Sequence, residues 1–351
     1  ASSNVIITNS GNINVGDGNT NASVGIYTNS GDVTNSGNIT VGKKGAGIYI
    51  GSGNVTVTGG TISIGEESTA LSMNMTPVGG TPYTYSGTGG IINVNGQKVT
   101  GYSLTGLDNM TTPSLFTDNL TVSVGSTPAN AGEKYTQYNL LNSKFIANKN
   151  MTFSKDGFTY INAKNSAVEL ASGTTVSSTG LNSVGIYLDN NTLASPITAF
   201  SGTYSLKNSG TITLGDSSTG IYGKNMSSAI GNAGTITVGN NSTAVYASDA
   251  TLENISSGNI NVGSNSTGMY QVTSSGKNTS NSGTITGLSG SNGSTGLVVE
   301  NTGIALIPTA KNEASGVITI NGTNGVGIYS KGSNDSNITN VIIVGAMSYM
   351  C

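Results

Sequence analysis

Three consecutive stretches of the chain repeat one arrangement of apolar and polar positions between Asn208 and Tyr270. They read NSGTITLGDSSTGIY, NAGTITVGNNSTAVY and SSGNINVGSNSTGMY, and each begins 24 residues after the one before. In the first, Ile212 and Leu214 alternate with threonines, which is typical of a half-buried strand. A small residue, an aliphatic residue and a tyrosine then form a second strand signal, and the spacer after each tyrosine leaves room for a third. A fixed period of this length indicates a repeat architecture.

Three short strands joined by three turns predict one coil of a parallel β-helix, in which each coil adds about 4.8 Å of length. Because no coil can bury its own apolar side, the coils must stack. We therefore predict an all-β chain, a right-handed parallel β-helix (solenoid) with an irregular, loop-rich segment; a sandwich or barrel is the rival fold. Three internal columns are predicted: Ile212, Ile236 and Ile260; Leu214, Val238 and Val262; and Ile221, Val245 and Met269.

The repeat divides the chain into three parts. Regular coils are predicted for residues 1–71 and again for 184–351, where the pattern ends as if truncated at the C-terminus. Residues 72–183 hold prolines and a dense set of aromatic residues, and are interpreted either as irregular coils with long loops or as a protruding aromatic-rich segment. A short helix is predicted between Tyr135 and Lys149.

The composition narrows the chemistry that the chain can perform. Among 351 residues there is no His and no Trp, and all 13 basic residues are lysines, against 16 acidic ones. Without histidine the usual acid–base catalyst is missing, so we predict no enzymatic activity and no cofactor. A net charge of −3 argues against nucleic acid as a partner. The single cysteine, Cys351, excludes an intrachain disulfide.

Aromatic residues of the irregular segment are the predicted ligand-binding site. Tyrosines on loops that a rigid scaffold holds in place are typical contact residues. The alternative is that they form the local core of the segment. The residues predicted to bind ligand are Tyr83, Tyr85, Tyr102, Tyr135 and Tyr138.

Two features of the regular coils are weaker candidates. Tyrosines at the end of each repeat, Tyr187, Tyr222, Tyr246 and Tyr270, form either a stripe that stacks on glycans or a stabilising aromatic stack between coils. Threonine pairs such as Thr211/Thr213 and Thr235/Thr237 face solvent together, as in ice-binding proteins, but Asn259 and Asn261 interrupt the array.

Acidic residues are the remaining candidates. Asp17 and the pair Glu66 and Glu67 lie in turns and carry oxygen ligands suited to Ca²⁺, although ordinary turns explain them better and no metal site is predicted. A glycan-cleaving β-helix would need two opposed carboxylates, for which Asp108, Asp118 and Asp156 are the candidates.

The units NSGTITVG and STGIY resemble the passenger repeats of fusobacterial type V autotransporters, over residues 1–71 and 184–330. The resemblance implies a surface adhesin, secreted or anchored to the outer membrane of a bacterium through a C-terminal barrel that this chain does not contain. It also implies a host cell receptor, a surface glycan or a partner bacterium as the ligand. The alternatives are a structural spacer or self-associating shaft and, less favoured, a glycan-cleaving enzyme.

Overall fold

The computed structural model describes residues 5–19, 22–190, 203–303, 306–332 and 337–339. The regular secondary structure of these residues is almost entirely β-strand, and the single helical element among them is a short 3-10 helix, Pro113–Leu115. Every paired strand runs parallel to a strand one coil away. The predicted parallel β-helix is thus confirmed. Two compact units are present, residues 1–149 with 155–163, and residues 150–154 with 164–351.

Each coil of the first unit contributes one strand to each of three parallel sheets. The first strands are Ile6–Asn9, Asp32–Asn35, Val55–Val57, Tyr85–Gly87 and Phe116–Asp118. The second strands are Asn12–Val15, Asn38–Val41, Thr61–Ile64, Ile91–Val94 and Thr121–Val124. The third strands are Ser23–Thr28, Gly45–Ile50, Thr69–Asn74, Thr100–Thr105 and Thr136–Leu141. Lys144–Ala147 and Thr159–Lys164 follow.

The second unit repeats the same plan. Its first strands are Ala167–Leu170, Tyr204–Asn208, Ala229–Asn232, Leu252–Asn254, Thr279–Asn281, Thr309–Asn312 and Asn337–Thr339. Its second strands are Met151–Phe153, Thr175–Ser178, Thr211–Leu214, Thr235–Val238, Asn259–Val262, Thr284–Gly287 and Val317–Ile320. Its third strands are Val184–Asp189, Thr219–Lys224, Thr243–Ser248, Thr267–Thr273, Thr295–Asn301 and Val326–Gly332.

The three predicted aliphatic columns form in register. Ile212 pairs with Ile236 and Ile236 with Ile260, and all three side chains are fully buried. The columns that begin at Leu214 and Ile221 align in the same way. Because the period is constant, each aliphatic side chain packs on its equivalent in the next coil, and the apolar stripe becomes a continuous core.

Polar side chains form a further column inside the second unit, at the corner between the first and second strands. Each asparagine amide there but the last donates from Nδ2 to Oδ1 of the asparagine in the next coil, at 2.7–2.8 Å, and the last, Asn312, donates to the carbonyl oxygen of Gly316 at 2.9 Å. In this column both the NH2 group and the carbonyl oxygen of each buried amide have a hydrogen-bond partner. Without partners these polar groups would destabilise the interior. Its members are Asn208, Asn232, Asn254, Asn281 and Asn312.

The glycine at the third position of each repeat lies at the same corner, where successive coils approach closely. A Cβ atom at Gly234 would lie 2.0 Å from the carbonyl oxygen of Gly210 in the preceding coil. No side chain fits at that distance, so the corner requires glycine. The Asn-Ser-Gly pattern therefore encodes one buried amide and one close backbone approach.

Strands continue through residues 72–183, which supports irregular coils rather than a separate protruding segment. The helix predicted between Tyr135 and Lys149 is wrong: the chain forms the strands Thr136–Leu141 and Lys144–Ala147. Long loops leave the first unit at residues 75–84 and 106–115, between the third strand of one coil and the first strand of the next, and at residues 125–135, between the second and third strands of one coil. The irregularity of the sequence thus lies in these loops and in the size of the core side chains.

Candidate functional site

Four of the five tyrosines predicted to bind ligand lie in the core of the first unit. Tyr85, Tyr102, Tyr135 and Tyr138 are at most 1% exposed. Tyr83, which is half-buried, lies in the loop before the strand Tyr85–Gly87. The prediction that these residues form a loop surface is therefore corrected for the four, because their rings occupy the inward positions that aliphatic side chains fill elsewhere.

The register of the third strands explains the burial. Tyr102 pairs with Leu71 of the preceding coil and with Tyr138 of the following one, while Ser103 pairs with Ser72 on the outward side. In the regular repeat the tyrosine follows an inward aliphatic residue; here tyrosine replaces that residue. The rings of Tyr102 and Tyr138 stack with centroids 5.5 Å apart.

Asp118 lies at the centre of this aromatic cluster, with its side chain only 3% exposed. Its Oδ1 accepts hydrogen bonds from Tyr102 Oη at 2.7 Å and Lys149 Nζ at 2.9 Å. Its Oδ2 accepts from Tyr138 Oη at 2.8 Å and Gln137 Nε2 at 3.1 Å. Burial raises the pKa of both tyrosine hydroxyls well above their ordinary value, so they remain protonated donors.

A groove of about 480 Å³ opens on the surface of the first unit, beside the turns that join second to third strands. Its floor is the stacked backbone of these turns, in which Gly65 packs against Gly42 of one coil and Gly96 of the next packs against Gly65 and Glu66. The loop 125–135 forms one wall and is fixed by hydrogen bonds from Gly132 N to Gly96 O and from Lys98 N to Glu133 O, each 2.9 Å long. The other lining residues include Asp17, Lys43, Glu66, Asn95, Gln97, Pro128 and Asn130.

Two kinds of polar group line this groove. Glu66 is engaged by the protein itself: Lys43 Nζ lies 3.1 Å from Oε2, and Gln97 Nε2 donates to Oε1 at 3.0 Å. Hydrogen bonds from Lys43 and Gln97 hold the pKa of the Glu66 carboxyl below its ordinary value. By contrast, the half-buried amides of Asn95 and Asn130 make no side-chain hydrogen bond within the described part of the chain. These two amides are the groups that a ligand can engage.

Most residues of this groove were not predicted from the sequence. Asp17 and Glu66 were only weak candidates for a Ca²⁺ turn. The signal lies in the alignment of Gly42-Lys43, Gly65-Glu66 and Asn95-Gly96, each of which directly follows a second strand, so that they stack. The overhanging loop has no equivalent in the regular repeat, so the period does not reveal it.

The outward tyrosines of the second unit stack on one another. Ring centroids are 5.1 Å apart for Tyr187 and Tyr222, 4.8 Å for Tyr222 and Tyr246, and 5.6 Å for Tyr246 and Tyr270, with planes inclined by 16–22°. Each inner ring has both faces covered by a neighbouring ring, so a sugar can reach only its edge and hydroxyl. The geometry supports the stabilising role of this stack rather than glycan stacking.

The acidic candidates do not converge on one site. Asp118 is enclosed in the aromatic cluster, whereas Asp108 lies at the surface 3.6 Å from Lys144, and Asp156 is exposed. Glu67 pairs with Lys98 at 2.9 Å. No cluster of three or more potential metal ligands occurs among the residues that the structure describes.

No protein-family model, curated protein or solved structure matches the chain. Within the described ranges, no helix has the length and apolar character needed to cross a membrane.

Proposed function

We propose that the chain is a ligand-binding β-helical segment of an exported bacterial adhesin, in which the groove beside the loop 125–135 is the contact surface. The observation that carries the proposal is the pair of half-buried amides, Asn95 and Asn130, that line the groove without a protein partner in the described residues. A rigid scaffold that positions a concave site on its loops is the usual arrangement for recognition.

A neutral, hydroxyl-rich ligand such as a surface glycan fits this groove best. Side-chain amides both donate and accept hydrogen bonds, as sugar hydroxyls do. The one cationic side chain in the lining, Lys43, is already paired with Glu66, and Asp17 adds a further negative charge. A polyanionic ligand would therefore meet net negative charge and no free cation in this lining. Pro128 offers an apolar surface for the carbon face of a sugar.

The proposed mechanism is binding without turnover. A glycosidase needs a carboxylic acid with a raised pKa opposite a second carboxylate. In this groove the pKa of Glu66 is lowered, which keeps it ionised and unsuited to donate a proton at neutral pH. The resemblance of the repeats to autotransporter passengers supports display at a bacterial surface, with a host receptor, a host glycan or a partner bacterium as the target.

The test is binding of the full chain to an array of neutral, sialylated and sulfated oligosaccharides and to fixed epithelial cells. We expect binding to neutral glycans, and about a ten-fold weaker affinity in the double variant Asn95→Ala, Asn130→Ala, since each lost hydrogen bond contributes about 0.5–1.5 kcal/mol. Asn162→Ala is the matched control, because Asn162 is exposed on a third strand. Glycan binding that the double variant leaves unchanged contradicts the proposed site.

A structural spacer is the second candidate function, and the regularity of the second unit favours it. Its outward tyrosines are engaged with one another rather than presented to a ligand. The array separates the two functions, because a spacer binds neither glycans nor cells in any variant.

A further inference from the structure

We propose that Lys149 and Asp118 join in an intramolecular isopeptide bond, in which Lys149 Nζ is acylated by the side-chain carboxyl carbon of Asp118 and one water molecule is released. The two groups are already in contact inside the first unit, with Nζ 2.9 Å from Oδ1. The side chains are 13% and 3% exposed, respectively. A reaction between two groups held in contact avoids the entropic cost of bringing them together.

The atoms of the reaction balance without any added reagent. A proton passes from the Lys149 ammonium to Asp118 Oδ1 along their hydrogen bond, and the nitrogen lone pair attacks Cγ. A second proton then moves from nitrogen to Oδ1, which leaves as water, and the third stays on the new amide. An ammonium and a carboxylate thus become a neutral amide and water. Because burying two charges is unfavourable, low exposure favours the neutral product.

The surroundings stabilise the charge that develops during this step. As nitrogen attacks, negative charge builds on Oδ2, which already accepts hydrogen bonds from Tyr138 Oη and Gln137 Nε2. Preorganised donors of this kind act as an oxyanion hole. Tyr102 Oη donates to Oδ1, the oxygen that leaves, and is itself hydrogen-bonded to Tyr85 Oη at 3.1 Å. Tyr102 is therefore placed to relay a proton to the leaving oxygen.

Lys149 is also held in the orientation that the reaction needs. Its Nζ donates to the backbone carbonyl of Leu120 as well as to Asp118. The Tyr160 hydroxyl donates to the backbone carbonyl of Lys149 at 2.7 Å. These contacts fix both ends of the lysine side chain, while its partial exposure leaves a route to solvent for the released water.

The other ion pairs among the residues that the structure describes lack these conditions and serve as internal comparisons. Lys224 and Asp189, 3.1 Å apart, are 31% and 17% exposed, and Lys207 and Glu169, 3.4 Å apart, are 30% and 17% exposed. Water competes for these charges and stabilises the ionised forms. We expect the bond at Lys149 alone. There it would close a covalent loop from residue 118 to residue 149, and this loop would resist extension when the chain is pulled.

Mass spectrometry of the intact, purified chain tests the proposal. We expect the wild type to lie below its sequence mass by one water, and Asp118→Ala and Lys149→Arg to show their full masses. Asp118→Asn should release ammonia instead of water and reach the same mass as the cross-linked wild type. Trypsin should then leave fragment 99–134 attached to fragment 145–155, because an acylated Lys149 is not cleaved.

Denaturing electrophoresis adds a readout that does not depend on folding of the variants. A closed loop makes the wild type migrate faster than Lys149→Arg. A wild-type chain at full sequence mass, with fragments 99–134 and 145–149 recovered separately, overturns the proposal. A loss of water mapped to any other position overturns it as well.

Discussion

Replacement of Asn232 by alanine tests the buried amide column that lines the second unit. Asn232 is fully buried, donates to Asn254 Oδ1 and accepts from Asn208 Nδ2, with both distances 2.8 Å. Alanine leaves one donor and one acceptor without their partner. Each unsatisfied buried group costs about 1–3 kcal/mol, so we expect the free energy of unfolding to fall by about 2–6 kcal/mol.

Urea unfolding followed by far-ultraviolet circular dichroism measures this loss. For a denaturant slope near 3 kcal/mol/M, the midpoint should fall by about 0.7–2 M. Asn261→Ala is the matched control: Asn261 lies in the second strand of the next coil, faces outward and makes a single side-chain hydrogen bond, of 3.2 Å, to Thr237. Its effect should stay within about 0.5 kcal/mol. If the two variants unfold at the same urea concentration, the reasoning about the column is refuted.

Three further changes test the packing and electrostatics of the second unit. Gly234→Ala places a Cβ 2.0 Å from a backbone oxygen of the preceding coil. It should lower the free energy of unfolding by about 1–3 kcal/mol, which urea unfolding measures. An unchanged urea midpoint would show that a methyl group fits at this corner. Ile236→Ala leaves a cavity at a fully buried position and should lower the free energy of unfolding by about 2–5 kcal/mol, whereas Ile236→Val should lower it by about 0.5–1.5 kcal/mol. Equal losses in the two variants would contradict the stacked core. Burial works to raise the pKa of Asp249, but hydrogen bonds from Ser274 and Ser275 hold this pKa below 3.8. Asp249→Asn should therefore lower the free energy of unfolding at pH 6, and the difference from wild type should vanish as the pH falls through the lowered pKa. A difference in stability that does not depend on pH would contradict this.

The regular coils were predictable from sequence because one physical constraint repeats in them. Ile212, Ile236 and Ile260 recur at a constant step, and a solenoid is the arrangement that buries them all in one column. The asparagine column escaped prediction because its members are unevenly spaced: Asn208, Asn232, Asn254 and Asn281 follow one another at steps of 24, 22 and 27 residues. Asn at a turn is expected to bond its own backbone, and only the stacked coils show that Asn208 and Asn232 bond each other.

The candidate site was harder to predict because it depends on loops and on a change of residue size. Tyr102 stands between a small residue, Gly101, and a polar residue, Ser103. In the regular repeat an inward aliphatic residue takes the position of Tyr102. The place of Tyr102 in the strand pattern therefore predicts that its ring is buried, although its aromatic character alone does not. The groove wall at Pro128 and Asn130 belongs to an insertion that no period describes.

The distance between equivalent positions two coils apart tests the stacked architecture most directly. Thr213 pairs with Thr237 and Thr237 with Asn261, all facing outward, so two parallel steps separate Thr213 from Asn261 by about 9.6 Å. Spin labels on cysteines at these two positions, in a chain whose Cys351 is replaced by serine, should show strong dipolar broadening in a continuous-wave electron paramagnetic resonance spectrum. Spectra identical to the sum of the two singly labelled chains would contradict the parallel β-helix and the groove built on it.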